Sequence, residues 1–446
     1  MTLPDLPAAA SDPPEWTIAP SDLPNLEALE TIDEELTAAG EREDLERWLT
    51  LVPGIPSLAP YAAQFEALDI YFLEQDLAGE ELHLWRAIRE VIMQRLTGVY
   101  DDILPLTDII LQDLFNFLVR HERLRGVKGR FSRKVVPLTF LGKSEDYYYT
   151  YTGDHDLPLA VVSIPQSRLY SVWNWLAIPH EVGHHVLGHF LGYEDELKGI
   201  LIESLSEVPV QFSERRDSLE FDDARLLAHI WFFWFEEIIA DLFGMLYTGP
   251  AQVMARQDDV GWWQRLQWMP INGAVLGSHL DGAGRHPAAY VRSFFQCDTL
   301  RYLGYPQWAD RLEARWLARW GNHDTIGFYD DLPPEEGEPS QPLAVLPIAI
   351  LRQVYAALLP RLVDRPIRSL GDNRLLDLIS YDADDHERVQ RIARCLLGGV
   401  CEFGRKDRAR HILAASRFAY ELAPEKGALI HANATASIQA CRQWLK

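Results

Sequence analysis

The chain has 446 residues, 48% of them hydrophobic and 11% aromatic, enough for a large core and more than one typical domain. Its formal charge of −24 argues against a nucleic-acid partner, because phosphates select basic surfaces. No uninterrupted apolar run reaches membrane-spanning length: 344–360 is broken by Arg352 and Gln353, and 226–248 by its acids.

The N-terminus lacks a basic segment followed by an apolar one, so no secretory signal is expected. The four cysteines (Cys297, Cys395, Cys401, Cys441) make neither CxxC pairs nor a dense framework, which suits a reduced, cytoplasmic compartment. Residues 1–25 are rich in Pro, Asp and Ala and read as a loose tail. Apolar residues at three- and four-residue steps then predict helices over 81–96 and 108–124, the second with a start signal at Pro105, Thr107 and Asp108. His83 and His121 read as ordinary helix-surface residues. A basic cluster runs from Arg120 through Arg123, Arg125, Lys128, Arg130 and Arg133 to Lys134, and in this acidic chain it reads as a solvated loop.

From Val135 the period changes. VVPLTFLG, DYYYTYT and PLAVVSIP (158–165) are rich in β-branched and aromatic residues and predict a small antiparallel sheet. The strand at 158–165 is either the border of a cleft, pairing with an extended peptide, or a buried strand with no substrate role.

Next comes Pro179-His180-Glu181-Val182-Gly183-His184-His185-Val186-Leu187-Gly188-His189. Pro179 can occupy a first helical turn, and Gly188 and Gly192 end the periodic stretch. Residues four apart share a helix face, so His180 and His184 can offer two imidazole nitrogens to one metal ion. Glu181 lies about 100° round the helix, beside the metal, where a base must stand to deprotonate a zinc-bound water. A catalytic zinc needs a third protein ligand and an open fourth position. The spacing HExxHxxGxxH is excluded, since Leu187 and Phe190 occupy the positions that would need Gly and His. His185 points elsewhere, and His189 suits a supporting or structural role.

An acidic segment, 193–221, leads to a helix that Asp222 or Asp223 can cap and Gly249-Pro250 stops. Its run Trp231-Phe232-Phe233-Trp234-Phe235-Glu236-Glu237-Ile238-Ile239-Ala240-Asp241 is nearly all apolar apart from three carboxylates. Buried carboxylates need partners, and a cation is one. Glu237 and Asp241 share a face, which suits a Glu that ligates zinc and an Asp that accepts the free ring N–H of a ligand histidine. Glu236, five residues from Asp241, fits that division less well. In DGAGRHPAAYVR (281–292), His286, Tyr290 or Arg292 could donate a hydrogen bond to a developing oxyanion. Alternatively His286-Pro287 caps a helix and Arg292 pairs with an acid.

Together HEVGHHVLGH (180–189), EEIIAD (236–241) and RHPAAYVR (285–292) resemble the gluzincin metallopeptidases of the CaaX-prenyl-endopeptidase and HtpX-like type. The resemblance covers about a quarter of the chain. It implies zinc ligands His180, His184 and Glu237, with Glu181 as base. Many members of that family are membrane proteins, and this sequence carries no such span.

Residues 329–343 are Pro- and Glu-rich and read as a linker or long surface loop. Beyond it, 405–422 and 426–445 predict a helical hairpin turned at Ala423-Pro424, for packing or for a protein partner. The organisation expected is a tail and helical region (1–134), a zincin-like α+β catalytic domain (135–328), a linker (329–343) and a helical C-terminal domain (344–446). The function expected is a zinc metallopeptidase acting on peptide or protein substrates. The alternative is a zincin fold that binds or senses without cleaving. A di-iron bundle would need two Glu-x-x-His motifs and two further Glu residues; besides Glu181-x-x-His184 the sequence has only Glu80-x-x-His83, whose histidine reads as an ordinary helix-surface residue.

Overall fold

A computed structural model describes residues 47–66, 68, 80–129, 136–142, 149–150, 159–215, 222–267, 276–279, 286–329, 342–399, 403–404 and 406–442. The expected tail (1–25), most of the 329–343 stretch, 281–285, Cys401, and Arg130, Arg133 and Lys134 of the basic cluster lie outside the described residues. Among the described residues the chain is mostly helical with two small sheets, an α+β arrangement.

Ahead of the first sheet lie α1 (Glu80–Thr97) and α2 (Leu104–Val119). Pro105 sits in the first turn of α2, where its missing N–H costs nothing. The sheet contains β1 (Val136–Gly142), β2 (Tyr149–Thr150) and β3 (Leu159–Pro165), in the order β1-β3-β2. The expected all-antiparallel arrangement is wrong. β2 is antiparallel to β3, but β1 runs parallel to it, in register from Val136 opposite Leu159 to Gly142 opposite Pro165. The physical reason is in the runs themselves. All seven residues of β3 are buried, the continuous apolar pattern of a strand covered on both faces rather than the alternation of a half-solvated one. Leu138, Phe140, Leu159 and Val161 face a smaller cluster with Trp48, Phe65 and Ile88. Leu141, Ala160, Val162 and Ile164 face the main core. With β1 along one edge and β2 at Val162 and Ser163 on the other, β3 takes the buried-strand reading and not the cleft-border one.

A 3-10 stretch (Val172–Ala177) leads into α3 (Ile178–His189), with Pro179 in its first turn. Gly188 lies inside α3, while Gly192, at φ 74°, turns the chain into α4 (Tyr193–Ser206). The acidic connector is thus largely helical, its acids on the solvent side of a face formed by Leu197, Ile200 and Leu201. After β4 (Glu214–Arg215) comes α5 (Asp223–Thr248), whose first turn is capped by the Asp222 carboxylate accepting from Arg225 N–H at 2.8 Å. Gly249 ends it at φ 59°.

The remaining elements are α6 (Pro250–Gln267), β5 (Leu276–His279), α7 (Ala289–Tyr302), α8 (Pro306–Trp320), β6 (Thr325–Tyr329), β7 (Ala344–Pro347), α9 (Ile348–Val363), α10 (Leu375–Leu378), α11 (Ala383–Gly398), α12 (Ala409–Leu422) and α13 (Gly427–Cys441). The second sheet has the order β4-β7-β6-β5, and its β6–β7 pair joins the two sides of the 329–343 stretch. One hydrophobic cluster extends from Tyr100 to Cys441. The α12–α13 hairpin forms as expected, and α12 is buried from Ala409 to Tyr420, so it is a packing element of that core. Cys297, Cys395 and Cys441 are unpaired. No helix among the described residues is long and apolar enough to cross a membrane.

Candidate metal centre

The site lies where α3 crosses α5, and Gly183 allows that crossing. A Cβ at this position would stand 2.6 Å from Ala240 Cα and 3.0 Å from Ala240 O. Only hydrogen in place of a side chain lets the two backbones come so close. On one side of the contact are His180, three residues before it, and His184, one residue after it. On the other is Glu237, one turn before Ala240.

The crossing brings His180, His184 and Glu237 together as a group that could hold a metal ion, their ligand atoms all within 4.8 Å of one another. His180 Nε2 lies 3.2 Å from His184 Nε2. Glu237 Oε2 is 3.3 Å from His180 Nε2, and Oε1 is 3.4 Å from His184 Nε2. A tetrahedral ion with bonds of about 2.0–2.1 Å has donor–donor edges of roughly 3.3 Å. The two imidazole nitrogens stand close to that spacing, and each faces a different oxygen of the Glu237 carboxylate, so the group could hold one ion.

The outer nitrogens of both rings face carboxylates. His184 Nδ1 is 3.2 Å from Glu236 Oε1, and His180 Nδ1 is 2.9 Å from Asp241 Oδ1, the latter oblique to the ring N–H. Such contacts turn the Nε2 lone pairs inward. Asp241 thus lies beside His180, and Glu236, given less weight on sequence, lies beside the other ring.

Arg292 balances part of this charge. Its Nε donates to Asp241 Oδ2 at 2.5 Å, and its Nη2 to Asp241 Oδ1 at 2.8 Å and Glu237 Oε2 at 2.9 Å. Gln296, one turn further along α7, donates to Asp241 Oδ2 at 2.9 Å. Burial opposes ionisation of Glu237 and Asp241, yet Arg292 and the neighbouring histidines hold both carboxyls well below their usual range. Burial likewise disfavours an imidazolium at His184. The carboxylates of Glu236, Glu237 and Glu181 outweigh it and push the His184 pKa up to about 10. Four acids around two imidazoles, against Arg292 and the more distant Arg256 at 3.6 Å from Asp241 Oδ1, make this a place that favours a cation.

Glu181 is buried beside the rings, and among the described residues its carboxylate makes no hydrogen bond or ion pair. His286 is exposed and reaches in from the rim, its Nε2 3.2 Å from Glu237 Oε1. Tyr290 is turned away from the cluster: its hydroxyl donates to Gly321 O at 2.8 Å and accepts from His323 N–H at 3.0 Å. Arg292 takes the acid-pairing alternative. His185 and His189 face other neighbours. His185 bonds to the Val161 backbone on β3, and burial together with the His184 charge lowers its pKa to about 3. His189 packs edge-on against Phe115, and burial lowers it to about 4. His121 caps a short 3-10 turn, its Nδ1 accepting from Arg123 N–H at 3.3 Å.

No protein-family model, no curated protein and no solved structure matches the chain. Two contributors went unread in the sequence: Gly183 as the contact point, and Gln296. The signal for Gln296 was its position four residues after Arg292, on the same face of a helix.

Proposed function

We propose that this chain is a zinc-dependent metallopeptidase of gluzincin type with a zincin-like core, held to zinc by His180, His184 and Glu237. The observation that carries this reading is the convergence of His180 Nε2, His184 Nε2 and the Glu237 carboxylate, with the two nitrogens 3.2 Å apart and ligand atoms all within 4.8 Å of one another. Two imidazoles and a carboxylate are a donor set used by hydrolytic zinc, and the HEVGH and EEIIAD motifs support the same choice. Zinc bound there would supply Lewis acidity to a peptide carbonyl and to a water.

The chain's own residues do the rest. Glu181, unengaged by any described neighbour, accepts the proton from the attacking water and returns it to the leaving amine. His286 donates to the developing oxyanion from the rim. Asp241 and Glu236 keep both rings oriented, and Arg292 keeps Glu237 ionised. The substrate is a peptide or protein.

The test is Glu181→Gln in the full chain, with metal content measured beside cleavage of a peptide panel. Metal content should stay at one equivalent of zinc while cleavage falls by about 100- to 10,000-fold. Equal cleavage by the Gln variant would remove Glu181 as the base. A second reading rests on burial: His180 is 2% and His184 8% exposed, which suits an ion held for binding or sensing. Zinc-loaded wild type that cleaves nothing across the panel would favour it.

A further inference from the structure

We propose that a cavity at the exit of α3 is a binding site for a compact polyphosphate anion, independent of the metal centre. The cavity is open, with a volume of about 920 Å³, and is lined by Arg123, Arg125, Lys128 and Arg368 together with Glu196 and Leu191. In a chain of charge −24, four cationic side chains converge here from two loops far apart in sequence. They include three members of the basic cluster that reads, in sequence, as a solvated loop.

Among the described residues Arg125, Lys128 and Arg368 have no ion-pair partner, and Arg123 meets Asp377 only at 3.7 Å in an exposed pair. Such a pair contributes little. Glu196 lines the cavity but is committed to its wall: one oxygen accepts from Arg368 N–H at 2.7 Å and the other from Ser369 N–H at 2.8 Å. Its charge offsets one of the four cations and leaves the excess positive.

The walls are fixed by backbone contacts. Lys128 O accepts from Leu191 N–H at 3.3 Å, Gly129 bridges to Phe190, and Asn373 Nδ2 donates to Arg123 O at 3.4 Å. Gly126, Gly192 and Gly371, all at positive φ, leave stretches of this surface without side chains, so a ligand can approach the backbone. Arginine forks match phosphate oxygens bidentately. The volume lies in the range of small-molecule sites and exceeds the needs of a single phosphate. Among the described residues no aromatic ring lines the cavity, and its cations address the anion itself.

The experiment titrates the full chain with inorganic tripolyphosphate, and separately with orthophosphate and an oligoglutamate peptide, by calorimetry at low and high salt. The comparison protein is the Arg125→Ala/Lys128→Ala/Arg368→Ala variant, all three sites being exposed. Metal withdrawn by the anion would affect both proteins alike, so the difference between them reports the cavity. Expected is one saturable site for tripolyphosphate, about tenfold or more tighter than for orthophosphate, weakened about tenfold or more in the variant and by high salt. Should the triple variant melt early, the single Arg125→Ala and Arg368→Ala variants carry the same comparison. No saturable binding, binding unchanged in the variants, equal affinity for orthophosphate, or tighter binding of oligoglutamate would each overturn the proposal.

Discussion

Gly183→Ala should weaken metal binding and destabilise the protein, although alanine is the better helix former. Intrinsic propensity favours Ala over Gly inside a helix by about 0.5–1 kcal/mol. At this position the new Cβ would sit 2.6 Å from Ala240 Cα, against the 3.4 Å at which ordinary contact begins. The backbones must therefore separate by the difference, about 0.8 Å, since neither atom can rotate away. Overpacking of this kind costs about 1–3 kcal/mol, so the net effect is a loss. Glu237 rides on the displaced helix one turn from Ala240. A metal site tolerates about 0.2 Å in its bond lengths, so a shift four times larger should reduce affinity by on the order of 100-fold.

Zinc competition against a chromophoric chelator measures the first effect, and urea unfolding of the metal-free protein the second. Gly188→Ala is the matched control. It lies in the same helix, and a Cβ there meets nothing within 4 Å. That variant should gain about 0.5–1 kcal/mol and bind zinc as wild type does. If Gly183→Ala also gained stability and kept wild-type affinity, the close crossing would not be what positions Glu237.

Asp241→Asn should lower zinc affinity about 10- to 100-fold, and by weakening the pairing of buried Arg292 it should also cost stability, up to about 3 kcal/mol. Glu236→Gln should cost less than about tenfold and leave stability unchanged, because the Glu236 side chain is 55% exposed. Equal losses in competition and urea assays would refute that ranking. Burial brings His189 and His431 to about 4 and lowers His386 and His411. The unfolded chain then takes up protons between pH about 6.5 and 4 that the native state does not, so stability is complete above that window and falls within it, by roughly 1.4 kcal/mol per pH unit for each fully shifted group. Urea unfolding near pH 7 and near pH 5 should show this, and His431→Gln should flatten the slope. An unchanged midpoint would show that these rings are not held neutral.

Helical periodicity made α1, α2 and the C-terminal hairpin legible, and the cap and stop signals of α5 fall at Asp222 and Gly249. Strand positions were legible too, but not the direction of pairing. β1 and β3 are short apolar runs, and whether such a run is buried on both faces depends on partners distant in sequence, here Trp48, Phe65 and Ile88. β6 and β7 went unread for a similar reason, since each is short and finds its partner across the 329–343 stretch. Gly183 is conspicuous as a residue, yet what its missing side chain avoids is on another helix, at Ala240.

The division of labour between Glu237 and Asp241 shows where spacing stops being informative. Both lie on one face of α5, four apart, and either could be drawn to a metal. A carboxylate has about four lone-pair positions. Asp241 accepts three: Arg292 Nε and Gln296 Nε2 on Oδ2, and Arg292 Nη2 on Oδ1, with His180 Nδ1 2.9 Å from Oδ1 but oblique to it. Little remains on Asp241 for an ion. Glu237 accepts from Arg292 on Oε2 and faces His286 at Oε1, and each oxygen also lies beside a histidine Nε2. Its unspent lone pairs are therefore the ones the imidazoles face. What distinguishes the two carboxylates is thus a pair of residues on α7, Arg292 and Gln296, which give Asp241 three hydrogen bonds and Glu237 one.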